Sequence, residues 1–212
     1  MQARICALLD EKDFQGLDQY LGENPGLANQ GIPFDNVNTT LAHPLHRLCD
    51  RVFSGAYTEV EALRMAMILV NHGADINGNV GEEGQDSPLT AAASLHADEM
   101  ALFYIEKGAD IHHKGCYGGT ALHWASWCGR PVVVERLVKA GAFLNARCTQ
   151  FKATPLHWAI NGLGRAEKNG RTGHLSCLRL LIRAGADTAI PDGEGKTFSE
   201  LLTSIDPGEL SL

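Results

Sequence analysis

No apolar run in the chain approaches the roughly 18 residues needed to cross a bilayer. The opening residues, MQARICALLDEKDF, meet acidic side chains within ten positions and have neither the apolar core nor the small-residue cleavage site of a signal peptide. These absences predict a soluble, cytoplasmic chain, with an exported effector as the alternative. Basic charge is also short, 18 Lys and Arg against 25 Asp and Glu, for a net charge of −7. No basic stripe marks a nucleic-acid surface, and none flanks an apolar helix as membrane binding would want. The six cysteines are scattered without a CxxC pair, and several stand where small apolar residues belong, as reduced thiols do. Neither a G-x-S-x-G elbow nor paired carboxylates at helical spacing occur.

What the chain does have is a repeated unit, clearest at 118–145, GGTALHWASWCGRPVVVERLVKAGAFLN. Thr120 suits an N-cap because its hydroxyl can accept from an orphan N–H of the first turn. The spacing of Val133, Val134, Leu137 and Val138 puts one apolar stripe on one helix face. Gly141 stands where a left-handed residue would end that helix. The stretch therefore predicts two short helices back to back. Helices shorter than about 12–15 residues are marginal alone in water, so the unit needs neighbours. They follow as Thr154-Pro155-Leu156-His157 with Gly185-Ala186-Asp187, Ser87-Pro88-Leu89 with Gly108-Ala109-Asp110, and His43-Pro44-Leu45-His46 with Gly73-Ala74-Asp75.

These motifs resemble the ankyrin repeat, D-x-x-G-x-T-P-L-H-x-A followed by V-V-x-L-L and G-A-D-x-N. The resemblance covers residues 41 to about 202. It implies an all-α ankyrin-repeat solenoid of stacked helix-turn-helix units with hairpin loops, and degenerate caps at both ends. The units expected are an amino-terminal capping repeat over 1–40, repeats over 41–86, 87–117, 118–151 and 152–191, and a half-repeat cap with tail over 192–212. Unit starts lie 33 and 34 residues apart in the middle but 44 and 43 at the ends, at Pro44, Pro88, Ala121, Pro155 and Phe198. The extra residues fall between the two helices of their units, around Phe53–Glu59 and around Leu163–Thr172. Two readings stand for them: inert loops, since doubling a loop costs only about 0.6 kcal/mol, or projections that grip a partner.

Candidate chemistry is sparse. Gly195-Lys196-Thr197 looks like the tail of a phosphate loop, but Ile190 stands where that loop needs glycine. His46, His123 and His157 follow the helix openings, and the resemblance implies that such histidines tie neighbouring hairpins together. His112, His113 and Cys116 form a cluster with metal-like residue types, the basis of a rival reading as a metal- or thiol-dependent enzyme or redox sensor. Zinc would need four ligands converging at about 2.0–2.3 Å. Cys116 and Cys148 should sit on adjacent hairpins, too far apart for a disulfide at a stacking distance of about 8–10 Å.

Trp124 and Trp158 are expected to face the core between repeats. Trp127 lies in the last turn of its helix, either packed on Arg130 or a neighbouring helix, or exposed for contact. The resemblance implies non-catalytic binding of a partner protein through the concave face made by hairpin tips and first helices. By repeat register the candidate contacts are Arg51, Leu95, Lys114, Tyr117, Trp127, Arg147, Gln150, Lys152 and Asn161. The expectation is a monomer on its own, with an unidentified protein partner, no nucleic acid, no membrane, and no cofactor or metal. The Leu-His-Trp-Ala units and the insertion after Asn161 are similar to those of bacterial stand-alone ankyrin proteins.

Overall fold

A computed structural model describes residues 2–33, 40–78, 84–167 and 170–202. Helices dominate, and they group into two compact units: residues 1–81 with 87–109, and residues 82–86 with 110–212.

The first unit opens with α1 (Gln2–Asp10) and α2 (Phe14–Glu23), joined by a tight turn that Asp13 caps by accepting from Gly16 N at 2.8 Å. A two-residue ribbon, β1 (Ile32–Pro33) against β2 (Leu41–Ala42), is antiparallel, with Ile32 opposite Ala42. Then come α3 (Pro44–Phe53) and α4 (Glu59–Asn71), followed by α5 (Pro88–Ser94) and α6 (Asp98–Glu106). First helices pack on first helices (α3 on α5), and second on second (α2 on α4, α4 on α6), as repeat stacking requires. Leu8, Leu17, Leu45, Leu48, Met65, Leu69 and Met100 fill its core. Arg47 is buried but fully used: Nε donates to the Ile32 carbonyl at 3.3 Å, Nη2 to the Thr40 carbonyl at 2.5 Å and Nη1 to Asp50 at 2.8 Å. It ties the ribbon to α3.

The second unit contains α7 (Ala121–Trp127), α8 (Pro131–Lys139), α9 (Pro155–Arg165), α10 (Arg171–Arg183) and α11 (Phe198–Leu202). Here α7 packs on α9 and α8 on α10, with α11 closing against α9. Gly141 has φ +91° just past α8, the left-handed end its position predicted. Main-chain bonds also join hairpin to hairpin: Gln150 N donates to the Tyr117 carbonyl at 3.1 Å, and Gly193 N to the Phe151 carbonyl at 2.8 Å.

The histidines tie hairpins together. Nδ1 of His123 accepts from Thr120 N at 3.1 Å, which leaves Nε2 to donate to the carbonyls of Ala146 (3.1 Å) and Ala153 (3.2 Å) on the following hairpin. His157 repeats the arrangement with Thr154 N at 3.3 Å and the Lys196 carbonyl at 3.2 Å. Burial pushes the His123 pKa down to about 4 and lowers that of His157. Neutral rings that donate through Nε2 are the form this architecture needs.

The two expansions, of nine and ten residues, take the form of longer helices rather than of simple loops. The helices α3 and α4 have 10 and 13 residues and α9 and α10 have 11 and 13, against 7 and 9 in both α5/α6 and α7/α8. Their junctions are anchored: the Tyr57 hydroxyl donates to the Leu9 carbonyl, and Arg171 donates to the Leu163 carbonyl at 3.3 Å. Leu163 itself is fully buried.

Candidate functional site

The second unit carries an extended concavity, a groove of about 760 Å³ between its hairpin tips and its first helices. Tyr117, Gln150 and Phe151 line it from two hairpin tips, and Asp192, Gly193, Glu194 and Lys196 from a third. Trp124 and Trp127 come from α7, Trp158, Asn161 and Arg165 from α9, and Leu201 from α11. Helical spacing explains the alignment: 124 and 127 stand i, i+3, and 158, 161 and 165 stand i, i+3, i+7, so each set shares one face.

The rings form a continuous network. Trp158 is the keystone, only 5% exposed, with Trp124 at 5.0 Å and Trp127 at 6.0 Å between ring centroids, both edge-on. Phe151 meets Trp158 at 6.2 Å, and Tyr117 bridges Phe151 (5.7 Å) and Trp124 (6.1 Å). Such tilted pairs are the favoured geometry for aromatic rings. Tyr117 and Phe151 stay about half exposed, at 50% and 48%. Tyr117 holds φ +59°, an uncommon backbone for a residue with a Cβ. That conformation is locked by neighbours, because the Tyr117 carbonyl accepts from Gln150 N and, at 3.2 Å, from the Thr149 hydroxyl.

The far wall is held by close backbone approach. A Cβ at Gly162 would lie 2.3 Å from the Trp127 carbonyl, and one at Gly173 would lie 2.3 Å from the Gly129 carbonyl. His174 fits into this space, its ring nitrogens facing the carbonyls of Trp127 (2.9 Å) and Gly170 (3.1 Å). The end of α7, and with it Trp127, is thereby fixed against α10.

Of the residues expected from repeat register, Tyr117, Trp127, Gln150 and Asn161 line the groove. Arg147 and Lys114 serve the hairpins: Arg147 donates to the carbonyls of Lys152 (2.6 Å) and Pro191 (3.0 Å), and Lys114 to the Arg147 carbonyl at 3.3 Å. Lys152 is exposed beside them, with φ +49°. Arg51 and Leu95 belong to the other unit, where Arg51 pairs with Asp10 and Leu95 closes α5. Sequence reasoning missed Trp124, Phe151 and Arg165 as groove residues. Trp124, expected in the core, is half-buried with its ring in the wall. Trp127 packs against the neighbouring helix α9, with the Arg165 guanidinium 5.0 Å from its ring centroid.

The metal-like cluster does not converge. His112 stacks on Phe143 with centroids 3.9 Å apart, while His113 bonds the Gln85 carbonyl at 2.7 Å. Cys116 N donates to Asp86 at 3.0 Å, and burial together with that carboxylate pushes the Cys116 thiol up, away from the thiolate that redox or nucleophilic work needs. Among the described residues no group of three or more His, Cys, Asp or Glu is placed to hold a metal. Among them, too, no helix is long and apolar enough to cross a membrane.

Helix pairs stacked through openings such as Thr154-Pro155-Leu156-His157, with a groove along the hairpin tips, are the arrangement of ankyrin repeats, and the family model for ankyrin repeats (3 copies) matches residues 105–192. The chain is also similar to the putative palmitoyltransferase ZDHHC13 of Danio rerio, 32% identical over 114 residues. That alignment takes in 54% of this chain and 16% of the relative. Palmitoyltransferase Hip14 of Drosophila melanogaster is 36% identical over 91 residues, 43% of this chain and 13% of its own. Human palmitoyltransferase ZDHHC13 is 30% identical over 114 residues, 54% of this chain and 17% of its own. This chain thus spans about a sixth of the length of these relatives, and the stretch they share is ankyrin-repeat region.

Proposed function

We propose that the chain is a non-catalytic binding module that docks a partner protein in the groove between Tyr117 and Arg165. The observation that carries this reading is the aromatic network of Tyr117, Trp124, Trp127, Phe151 and Trp158 in an open concavity of about 760 Å³. Tryptophan, tyrosine and arginine dominate interface hot spots, and the groove concentrates all three. Its walls are also fixed before a partner arrives, by the main-chain bonds between hairpins and by His174, so little ordering cost falls on binding.

The relatives' name, palmitoyltransferase, describes those proteins. The likeness lies in the repeats, so it supports a recognition role, and we assign no transfer chemistry to these residues. Free thiols at all six cysteines fit work in a reducing compartment such as the cytoplasm. The protein acts as a monomer that meets its partner there.

The test is capture from the source cell with the wild-type protein and with a Tyr117→Ser/Trp127→Ala double variant, each checked for folding by circular dichroism. A protein retained by the first and lost by the second supports the reading. Equal capture by both would refute the groove as the docking surface.

A further inference from the structure

His174 differs from the other buried histidines in what its ring faces. In His43, His123 and His157, Nδ1 accepts from a main-chain amide and Nε2 is left to donate, so a neutral ring satisfies both atoms. Burial pushes the pKa of His43 and His123 down to about 4 and lowers that of His157, which keeps these rings neutral near pH 7. His174, 8% exposed, instead has a carbonyl oxygen opposite each ring nitrogen, that of Gly170 at 3.1 Å from Nδ1 and that of Trp127 at 2.9 Å from Nε2. A carbonyl only accepts, so both bonds exist together only on the imidazolium, which donates from both nitrogens. A neutral ring must turn a lone pair toward one of the two oxygens.

The ring is held where it is. A Cβ at Gly129 would lie 2.6 Å from Nδ1, and one at Gly162 would lie 3.0 Å from Cδ2, so these glycines leave the space that the imidazole fills. The Trp127 carbonyl also needs this donor. Helix α7 ends at Trp127, and the next three amides, those of Cys128, Gly129 and Arg130, bond to the carbonyls of Trp124, Ser126 and Ala125.

The surroundings pull both ways. Burial and the arginines on the enclosing elements, Arg130 after α7, Arg136 on α8, Arg165 on α9 and Arg171 on α10, oppose a charge on the ring, whereas the two carbonyls favour it. The carboxylates on these elements are Glu135 on α8, paired with Lys139, and Glu167 after α9, and among the described residues neither bonds to His174. The remaining ionisable groups are the thiols of Cys128 and Cys177.

Resting on the reading of the groove as a protein-docking surface, we propose that His174 is a proton-operated tie on the groove's Trp127 wall. Charged, it bonds the end of α7 to the start of α10 and fixes Trp127 for the partner; neutral, it releases one of the two carbonyls and the wall loosens. A proton is taken up as the tie closes, so the partner is held more tightly at pH 6 than at pH 8, the range in which imidazole charge changes.

The test reads ring and wall separately. Two-bond 1H–15N NMR of the wild-type protein reports the proton on each His174 ring nitrogen, assigned with His174→Gln. Fluorine NMR of protein labelled with 5-fluorotryptophan reports Trp127, assigned with Trp127→Phe. The expected result is a proton on both His174 nitrogens at pH 6 and on one at pH 8, with the Trp127 signal shifting over the same midpoint and becoming insensitive to pH in His174→Gln. A bare nitrogen on His174 at both pH values overturns the proposal without any variant having to fold, and so does a Trp127 shift that survives His174→Gln. Capture from the source cell is then compared at the two pH values, with retention expected to be roughly fivefold or more higher at pH 6 and level in His174→Gln. Capture that depends on Tyr117 and Trp127 but is equal at both pH values overturns proton control of docking and leaves the docking reading standing. Capture that ignores Tyr117 and Trp127 removes the docking reading, and its proton control with it, even where the Trp127 signal follows His174.

Discussion

Replacing Trp158 with alanine should cost the second unit about 3–5 kcal/mol, the range for emptying a large aromatic from a packed core. Trp158 is 5% exposed and touches His123 (5.3 Å), Trp124, Trp127 and Phe151, so its removal leaves a cavity bordered by four rings. At about 2–4 °C per kcal/mol for a chain of this size, the midpoint should fall by roughly 6–20 °C. Trp127→Ala removes a half-buried ring that carries the Arg165 guanidinium on its face, and it should cost about 1–2 kcal/mol. The same change should weaken partner binding roughly 30-fold or more, since a hot-spot aromatic often carries 2 kcal/mol. Because the chain forms two compact units, whole-chain melting is not a safe two-state measure. Tryptophan fluorescence avoids the problem, because Trp124, Trp127 and Trp158 all lie in the second unit. Equal destabilisation by Trp158→Ala and Trp127→Ala would refute the division of the aromatic network into a structural centre and a contact rim.

The His123 pKa is lowered to about 4 from 6.5, so between those values the unfolded chain binds more protons. Stability is full above pH 6.5 and falls as pH drops toward 4; going from pH 7 to 5 should cost the second unit on the order of 2 kcal/mol from this group. Urea unfolding at both pH values checks it, and His123→Gln should flatten the slope. Gly162→Ala should destabilise by about 1–3 kcal/mol or more, because its Cβ would meet the Trp127 carbonyl at 2.3 Å; a neutral result in urea unfolding would show that α7 and α9 yield to each other easily. Deleting 163–172 should lower the unfolding midpoint substantially, since it removes buried Leu163 and the facing ends of α9 and α10; a deletion variant as stable as the wild type would count against that packing. At Cys116, Asp86→Asn should speed alkylation of the exposed thiol at neutral pH, measured by mass spectrometry, because it removes a carboxylate that raises the thiol's pKa.

Much of this could be read from sequence, and the reasons are local. Thr120, Thr154, the histidines two residues into each helix and Gly141 act through bonds and backbone angles that a short motif encodes. Tyr117, Gln150, Trp127 and Asn161 were within reach because repeat register alone places them on one face. Trp124 was misjudged since the motif gives its position on the helix but not how far the next helix covers it. Arg165 was hidden for a different reason: its position exists only because α9 runs a full turn longer than α7, and a spacing count cannot tell a lengthened helix from a loop. The division of the chain at 109–110 left no mark in the repeat pattern, because the Gly108-Ala109-Asp110 motif reads the same on either side of it.

The bonds between hairpin tips, Gln150 N to the Tyr117 carbonyl and Gly193 N to the Phe151 carbonyl, run from main chain to main chain. The rail that sets the groove's width therefore depends little on which side chains stand at its tips. Replacing Gln150 or Phe151 would change what the surface recognises without altering the frame that presents it. Specificity in such a molecule can drift by single substitutions, each tried on an intact scaffold, so that descendants of one ancestral binder come to hold unrelated partners while their backbones stay superimposable.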